Sequence, residues 1–364
     1  MVKFMTECRV YFNHQHLASA ARACWPDLTR ALWNEKTREE RLAQYGSRAS
    51  HFELVPSPQD AELIMLPLIW NYYQENQRLD WVGQEACRAA EYGSRLVVFN
   101  GGDFPTHLPV EQFVLFEPAG YASRRKIGGN DVYAIPAFVD DYLQRYCLDQ
   151  LALREKCPVP VVGFCGQATG SMVDFVRREM LRLWRKFKFD AGLSYLEPPP
   201  YETTWFRKRT LDRLAQHSGL ITNYILRTRY RAGYLSSQKD PFHTSRLQFV
   251  RNILESDYTV CMRGGGNFSV RFYETLCLGR IPIFVNTDCI LPFDDEIDYR
   301  QYCVWVEEHE IPYIGEKVQD FHQCLSSARF VELQKACREL WVSKLSINGF
   351  FTQFSTSFSF LRTS

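Results

Sequence analysis

The stretch with the most chemistry in it runs from Tyr258 to Phe293, YTVCMRGGGNFSVRFYETLCLGRIPIFVNTDCILPF. An apolar strand over Tyr258–Met262 leads into Arg263 and three glycines, Gly264, Gly265 and Gly266. The spacing then predicts a helix over Ser269–Leu278, stopped by Gly279, and a second strand over Ile281–Val285. Strand, glycine turn and helix start together form an anion site. Unpartnered amides and the positive end of the helix dipole point at whatever lies above the turn. The glycines let a diphosphate approach the backbone closely, and Asn267 or Ser269 can cap the helix. Taken alone, the glycines fit a flexible surface turn equally well. The turn is neither a Walker loop, because no Gly-Lys-Ser/Thr follows, nor a G-x-G-x-x-G dinucleotide fingerprint.

Arg271 and Glu274 stand three apart on one face of that helix. A solvated ion pair accounts for them simply. The sharper assignment gives Arg271 to a diphosphate near the helix start and Glu274 to two ribose hydroxyls, since a carboxylate accepts two donors at once. A second basic run, Arg227-Thr-Arg229-Tyr-Arg231, follows the strand predicted over Leu220–Ile225. Its plain alternative is a solvated loop with packed stems. Of the twelve cysteines no two form a C-x-x-C unit, and most sit in apolar surroundings, which reads as buried reduced thiols. No Asp-x-Asp lies near a strand end, and Asp294-Asp295-Glu296 reads as a solvated turn.

The elements that must position these residues alternate between short apolar runs and amphipathic stretches, the pattern of α/β architecture with parallel sheets. Strands are predicted over 8–12, 52–55, 63–66, 95–100, 113–117 and 132–135, then over 161–165, 220–225, 258–262, 281–285 and 303–306. Helices are predicted over 79–92, 172–187, 245–255, 269–278, 321–326 and 330–345, with an irregular or helical connector at 140–156. Val173, Val176, Met180, Leu183, Trp184 and Phe187 mark the apolar stripe of the 172–187 helix. The domain boundary is placed near 155: an N-terminal domain over 1–155, a C-terminal domain over 156–345 and a tail over 346–364. Ligands of such doubly wound sheets bind at the carboxyl ends of the strands.

Length and composition limit the function classes. The 364 residues suit two domains, and 46% hydrophobic with 23% charged residues is ordinary for a globular protein. Lys plus Arg number 43 against 42 Asp plus Glu, so no electrostatic footprint points to nucleic acid. The longest apolar run, Leu63–Trp70, is broken by Pro67 and falls far short of the ~20 residues of a bilayer span. The opening residues MVKFMTECRVYF hold no apolar stretch of about 7–15 residues followed by a small-residue cleavage site, so no signal peptide is expected. A cytoplasmic protein is expected, and peripheral docking on a membrane remains compatible with this composition.

The 258–293 stretch resembles the C-terminal signature of the exostosin family of glycosyltransferases. The matching residues are Cys261, Arg263, Gly264, Ser269, Arg271, Glu274, Gly279, Ile281, Pro282, Leu291, Pro292 and Phe293, continued by Ile297-Asp298-Tyr299 and Val304-Trp305-Val306. Gly163-Phe164-Cys165-Gly166 is similar to the strand and glycine turn opening that family's second domain. The resemblance is dense over about 245–315 and loose over the first 150 residues.

It implies a GT-B fold, two Rossmann-like domains facing each other across a cleft. It further implies inverting transfer of a sugar from a nucleotide sugar, usually a UDP-sugar, to a glycan or glycoconjugate acceptor, with no metal and no other cofactor. The donor-binding set it implies is Gly166, Arg227, Arg229, Arg263, Gly264, Gly265, Asn267, Ser269, Arg271 and Glu274. The general base is assigned to Asp103, in the turn Asn100-Gly-Gly-Asp103-Phe-Pro after a strand, where the family often has His-Asp. Turn capping explains Asp103 as well, and Glu117 and the His14/His16 pair are the rivals. Tyr201 and Trp205, beside the triple proline 198–200, are candidate acceptor contacts. The alternative function is a catalytically silent paralogue that binds a nucleotide sugar or glycan and scaffolds a partner transferase.

Overall fold

Runs rich in Val, Ile, Leu and Phe, too short and too uniformly apolar for amphipathic helices, form the strands of two buried parallel sheets. The computed structural model describes residues 7–106, 108, 110–127, 130–168, 171–194, 196–228 and 244–357. The chain divides into two compact units. One comprises 1–136, 290–293 and 343–364, the other 137–289 and 294–342.

The first unit holds β1 (Cys8–Tyr11), β2 (Phe52–Leu54), β3 (Leu63–Met65), β4 (Leu96–Phe99), β5 (Phe113–Glu117), β6 (Lys126–Ile127) and β7 (Asn130–Ala134). Their order is β2-β1-β3-β4-β5-β7-β6, and every pair is parallel except β6 with β7. β4 and β5 are buried along their whole length. The helix Leu79–Glu91 carries the chain from β3 to β4, with Val82 and Ala89 inward. The helix Ile347–Ser357, in the segment read from sequence as a tail, seats Phe350, Phe351 and Phe354 in this core.

The second unit holds β8 (Val161–Gln167), β9 (Ile221–Arg227), β10 (Tyr258–Cys261), β11 (Ile281–Asn286) and β12 (Val304–Glu307). All pairs are parallel, in the order β12-β11-β10-β8-β9. From β8 the chain crosses to one side, toward β9, and from β10 to the other, toward β11. The switch point therefore lies between β8 and β10, and the carboxyl ends of these two strands flank the position where open α/β sheets bind ligands. The buried Asp257 locks their amino ends together, accepting from the Val161 amide at 2.8 Å and from Arg154 Nε at 2.8 Å.

The two units supply the two Rossmann-like α/β sheets expected from the sequence. Differences lie in the helices. Thr203–Gln216, not foreseen, starts where the Glu202 carboxylate accepts from the Trp205 amide at 2.6 Å. The helix expected over 321–326 is Ile314–Cys324, starting after Pro312. Within the connector a short helix, Tyr142–Tyr146, is capped by Asp141. Among the described residues no helix is long and apolar enough to cross a membrane.

Candidate nucleotide-sugar site

At the switch point of the second unit, β10 delivers Arg263 and the glycine turn, and the helix Val270–Cys277 follows. Ser269 is its N-cap but makes no side-chain capping bond. The Phe272 amide returns to the Ser269 carbonyl at 3.1 Å, while the amides of Val270 and Arg271 have no acceptor within the helix. Gly265 is exposed and Val270 is 42% exposed, so this helix start is open on one side even though Ser269 is buried.

Arg271 reaches back across the sheet to β8. One terminal nitrogen donates to the Cys165 carbonyl at 2.8 Å, the other to Val260 at 3.4 Å, and the guanidinium lies 4.2 Å over the Phe164 ring. A side chain at Gly166 would collide with it, since a Cβ there would sit 2.6 Å from a terminal nitrogen. The pairing of these two residues explains why β8 carries glycine at this position. Arg271 Nε is buried and has no partner among the described residues, and no described carboxylate forms an ion pair with Arg271. Burial pulls its pKa below the ordinary guanidinium value, and Arg227 adds to the depression against the opposing effects of Cys261 and Glu274.

Glu274, one turn further on, is buried. Its Oε1 accepts from the Tyr142 hydroxyl at 2.8 Å and from Arg246 at 3.1 Å, and Arg246 also donates to Tyr142 at 2.9 Å. Burial, reinforced by the Glu274 charge, pushes the Tyr142 phenol far above its ordinary pKa, so it stays protonated and donates. Oε2 makes no hydrogen bond among the described residues.

Arg207 was not singled out from sequence. From the helix Thr203–Gln216 its Nε donates to the Arg263 carbonyl at 3.0 Å and its terminal nitrogen lies 3.5 Å from the Gln167 carbonyl. It thus bridges the carboxyl ends of β8 and β10, close over Gly264. Tyr142, Arg246 and Arg207 carry no motif signal. Each is an ordinary residue on a short or amphipathic helix, and only the fold brings it to the site.

The remaining expected residues divide. Arg227, at the end of β9, donates to the Ser245 carbonyl at 2.7 Å. Arg229 lies outside the described residues. Asn267 faces inward, donating to the Asp288 carbonyl at 3.1 Å and accepting from Thr287 Oγ1 at 2.8 Å, so its side chain ties the glycine turn to the segment after β11. Tyr201 packs on Phe206 with ring centroids 4.7 Å apart, and Trp205 on Phe175 at 5.0 Å.

In the first unit, Asp103 is exposed in the turn after β4. Asn100 organises this turn, donating to the Phe104 carbonyl at 3.0 Å and to Glu117 at 3.1 Å, and accepting from the Gly102 amide at 3.1 Å. The paired glycines of this turn are closely packed. A Cβ at Gly101 would meet Ile69 at 2.8 Å and one at Gly102 would meet Asn71 at 2.7 Å. Glu117 is buried and accepts the Thr106 amide at 3.2 Å, holding the turn from below. His16 is buried too, its Nδ1 3.0 Å from the Tyr73 hydroxyl and its ring stacked on Trp81 at 4.5 Å. Burial lowers its pKa against the pull of Glu85. His14 stacks on Trp33 at 4.9 Å.

Residues 202–321 match the Exostosin GT47 domain. Exostosin-1 of Drosophila melanogaster is 27% identical over 96 residues, 26% of this chain and 12% of that protein. The probable beta-1,4-xylosyltransferase IRX10L of Arabidopsis thaliana is 33% identical over 66 residues, 18% of this chain and 16% of that protein. The chain thus spans less than a fifth of the length of these two relatives. Among solved structures, the UDP-forming alpha,alpha-trehalose-phosphate synthase of Burkholderia xenovorans in complex with glucose-6-phosphate is similar with a TM-score of 0.38 at 10% identity, over 94% of this chain and 83% of that one.

Proposed function

We propose, for a chain whose residues 202–321 belong to the exostosin family, that it is an inverting glycosyltransferase. It moves a sugar from a nucleotide sugar, a UDP-sugar by preference, to a hydroxyl of a glycan or glycoconjugate. One observation carries the reading. Arg271 is a cation at the carboxyl ends of β8 and β10 with a buried Nε–H and no ion pair to a described carboxylate. A partly buried cation that feels Glu274 only at a distance is costly to hold, and a diphosphate at this switch point supplies a direct counter-charge.

In this reading the leaving diphosphate is stabilised by Arg271, Arg263 and the first-turn amides of Val270–Cys277, charges already oriented before reaction. No divalent ion is assigned to that task. Glu274 uses Oε2 to accept from the ribose, while Tyr142 and Arg246 hold Oε1 and fix the carboxylate plane. Asp103 takes the proton from the acceptor hydroxyl. That oxygen bonds to the anomeric carbon from the face opposite the diphosphate as the sugar–phosphate bond breaks, which inverts the centre.

The test is a thermal-shift titration with UDP- and GDP-sugars followed by an assay of nucleotide release with and without glycan acceptors. The expected result is stabilisation by a UDP-sugar and acceptor-dependent release of UDP. Stabilisation without release under any acceptor favours the silent binding paralogue, and neither signal overturns both.

A further inference from the structure

The helix Met172–Asp190 is mounted the opposite way round from an ordinary surface helix. None of its 19 residues is buried. Its grip on the fold comes from the side opposite its apolar stripe: Phe175 against Trp205, Arg178 3.9 Å from Glu202, and Arg182 3.4 Å from the Pro199 carbonyl. The apolar stripe faces solvent instead, with Val173 80%, Met180 63%, Phe187 57% and Trp184 55% exposed. On a helix these positions fall within one third of the circumference, together with Val176 and Leu183. Scattered exposed apolar residues require no explanation, but a contiguous stripe including Trp and Phe does. Leu193 and Leu196, just past the helix, are exposed as well.

Charge indicates what covers the stripe. The helix MVDFVRREMLRLWRKFKFD carries six Arg and Lys against three Asp and Glu. Arg177 and Lys188 make one rim of the stripe basic, with Lys188 Nζ 5.3 Å over the Trp184 ring, while Glu179 and Asp190 lie along the other, where Lys186 pairs with Asp190 at 3.0 Å. A second copy is a poor occupant, because pairing in either sense brings together two helices that each carry this positive surplus, and antiparallel pairing also sets the Arg177/Lys188 rim against itself. A surface of anionic headgroups over acyl chains matches both features: it receives Trp, Phe, Met and Val below the headgroups and neutralises the basic rim. We propose that the Met172–Asp190 helix docks this protein on anionic lipid, lying in the plane of the interface. The inference is independent of the catalytic assignment.

Co-sedimentation with vesicles of phosphatidylcholine, or of phosphatidylcholine and phosphatidylglycerol in equal amounts, tests it. The intact chain is expected to pellet with the mixed vesicles, weakly with phosphatidylcholine alone, and less as salt is raised. Met180→Glu with Phe187→Glu should weaken binding at least about tenfold without lowering the melting temperature, since both sites are exposed. Arg177→Glu with Lys188→Glu, which leaves the stripe intact, should also weaken it. Failure of the intact chain to bind the mixed vesicles overturns the proposal. So does unchanged binding by the Met180/Phe187 variant, or a dimer that this variant splits in place of lipid binding.

Discussion

Glu274 and Arg271 were legible as a pair in the sequence, but what each touches was not. Their i, i+3 spacing suggested a mutual ion pair or a shared ligand. The structure instead turns Arg271 back to the Cys165 carbonyl and pairs Glu274 with Tyr142 and Arg246. A carboxylate held by two donors on one oxygen loses little entropy when the other meets a ribose. Glu274→Ala should therefore raise the apparent donor constant about 10- to 100-fold, the worth of a charged hydrogen bond, with kcat changed less. Steady-state kinetics over donor concentration reads this, and an unchanged donor constant removes the ribose role. Tyr142→Phe leaves Arg246 in place, so the rise should be smaller, again in KM before kcat. For Asp103 the exposed setting suits proton exchange with an incoming hydroxyl. Asp103→Asn should lower kcat about 100- to 10,000-fold, the span of general-base contributions, while calorimetric donor binding stays put. Full activity would pass the role to Glu117 or His14.

Strands were easier to read than helices because their signal is local. Each predicted strand is a short run of β-branched or aromatic residues, and each of those runs is a strand of one of the two sheets. Thr203–Gln216 escaped because its sequence, TTWFRKRTLDRLAQ, is dominated by polar residues and its start depends on Glu202 acting as a cap. The β8–β10 edge tests how tightly elements are fitted. Gly166→Ala places a methyl where Arg271 lies. The guanidinium end is mobile, so the fold should survive with little loss in melting temperature. The nucleotide-induced thermal shift should shrink markedly, and an intact shift would separate Arg271 from the diphosphate. A second junction is His322, which links the helix Ile314–Cys324 to β10 and to the approach of β8. Its Nδ1 lies 2.9 Å from the Tyr258 hydroxyl and its Nε2 2.7 Å from the Cys157 carbonyl. Burial lowers its pKa below the reference 6.5, offset in part by the Cys157 carbonyl. The folded state therefore keeps this imidazole neutral where the unfolded chain has begun to protonate. Its stability contribution is complete above about pH 6.5 and declines as pH falls below it, by at most about 1.4 kcal/mol per pH unit. His322→Phe should cost stability at pH 7.5, because Tyr258 and Cys157 lose a partner, but flatten the decline on acidification. Denaturant melts across pH 5–8 measure both, and an unchanged slope would show that His322 does not titrate on unfolding.

At the scale of the whole chain, linear order and spatial order part company. The first unit is discontinuous: residues 290–293 and 343–364 return to a body made mostly from 1–136. Leu291, Pro292 and Phe293 read in the sequence as part of a signature next to the chemistry. They belong instead to the first unit, where Phe293 meets Phe350 with centroids 5.2 Å apart. A segment such as INGFFTQFSTS gives little local warning of this. Its three Phe are set among Thr, Ser, Gln and Asn, and what they pack against lies hundreds of positions away, on β2 and β5. Phe354 contacts Phe52 at 5.8 Å and Phe116 at 5.2 Å, and all three are buried. Phe116 is in β5, between β4 and β7, so the last helix is built into the middle of the sheet's cover rather than appended at its rim. Phe354→Ala would empty a ring-sized space between two strands that cannot close over it, at a cost of about 3–5 kcal/mol. The residues assigned to the donor all belong to the second unit, apart from the base. The variant should thus unfold at clearly lower denaturant while the nucleotide-induced shift of the remaining transition persists. A melt indistinguishable from the parent's would mean that the Ile347–Ser357 helix does not belong to the core of the first unit.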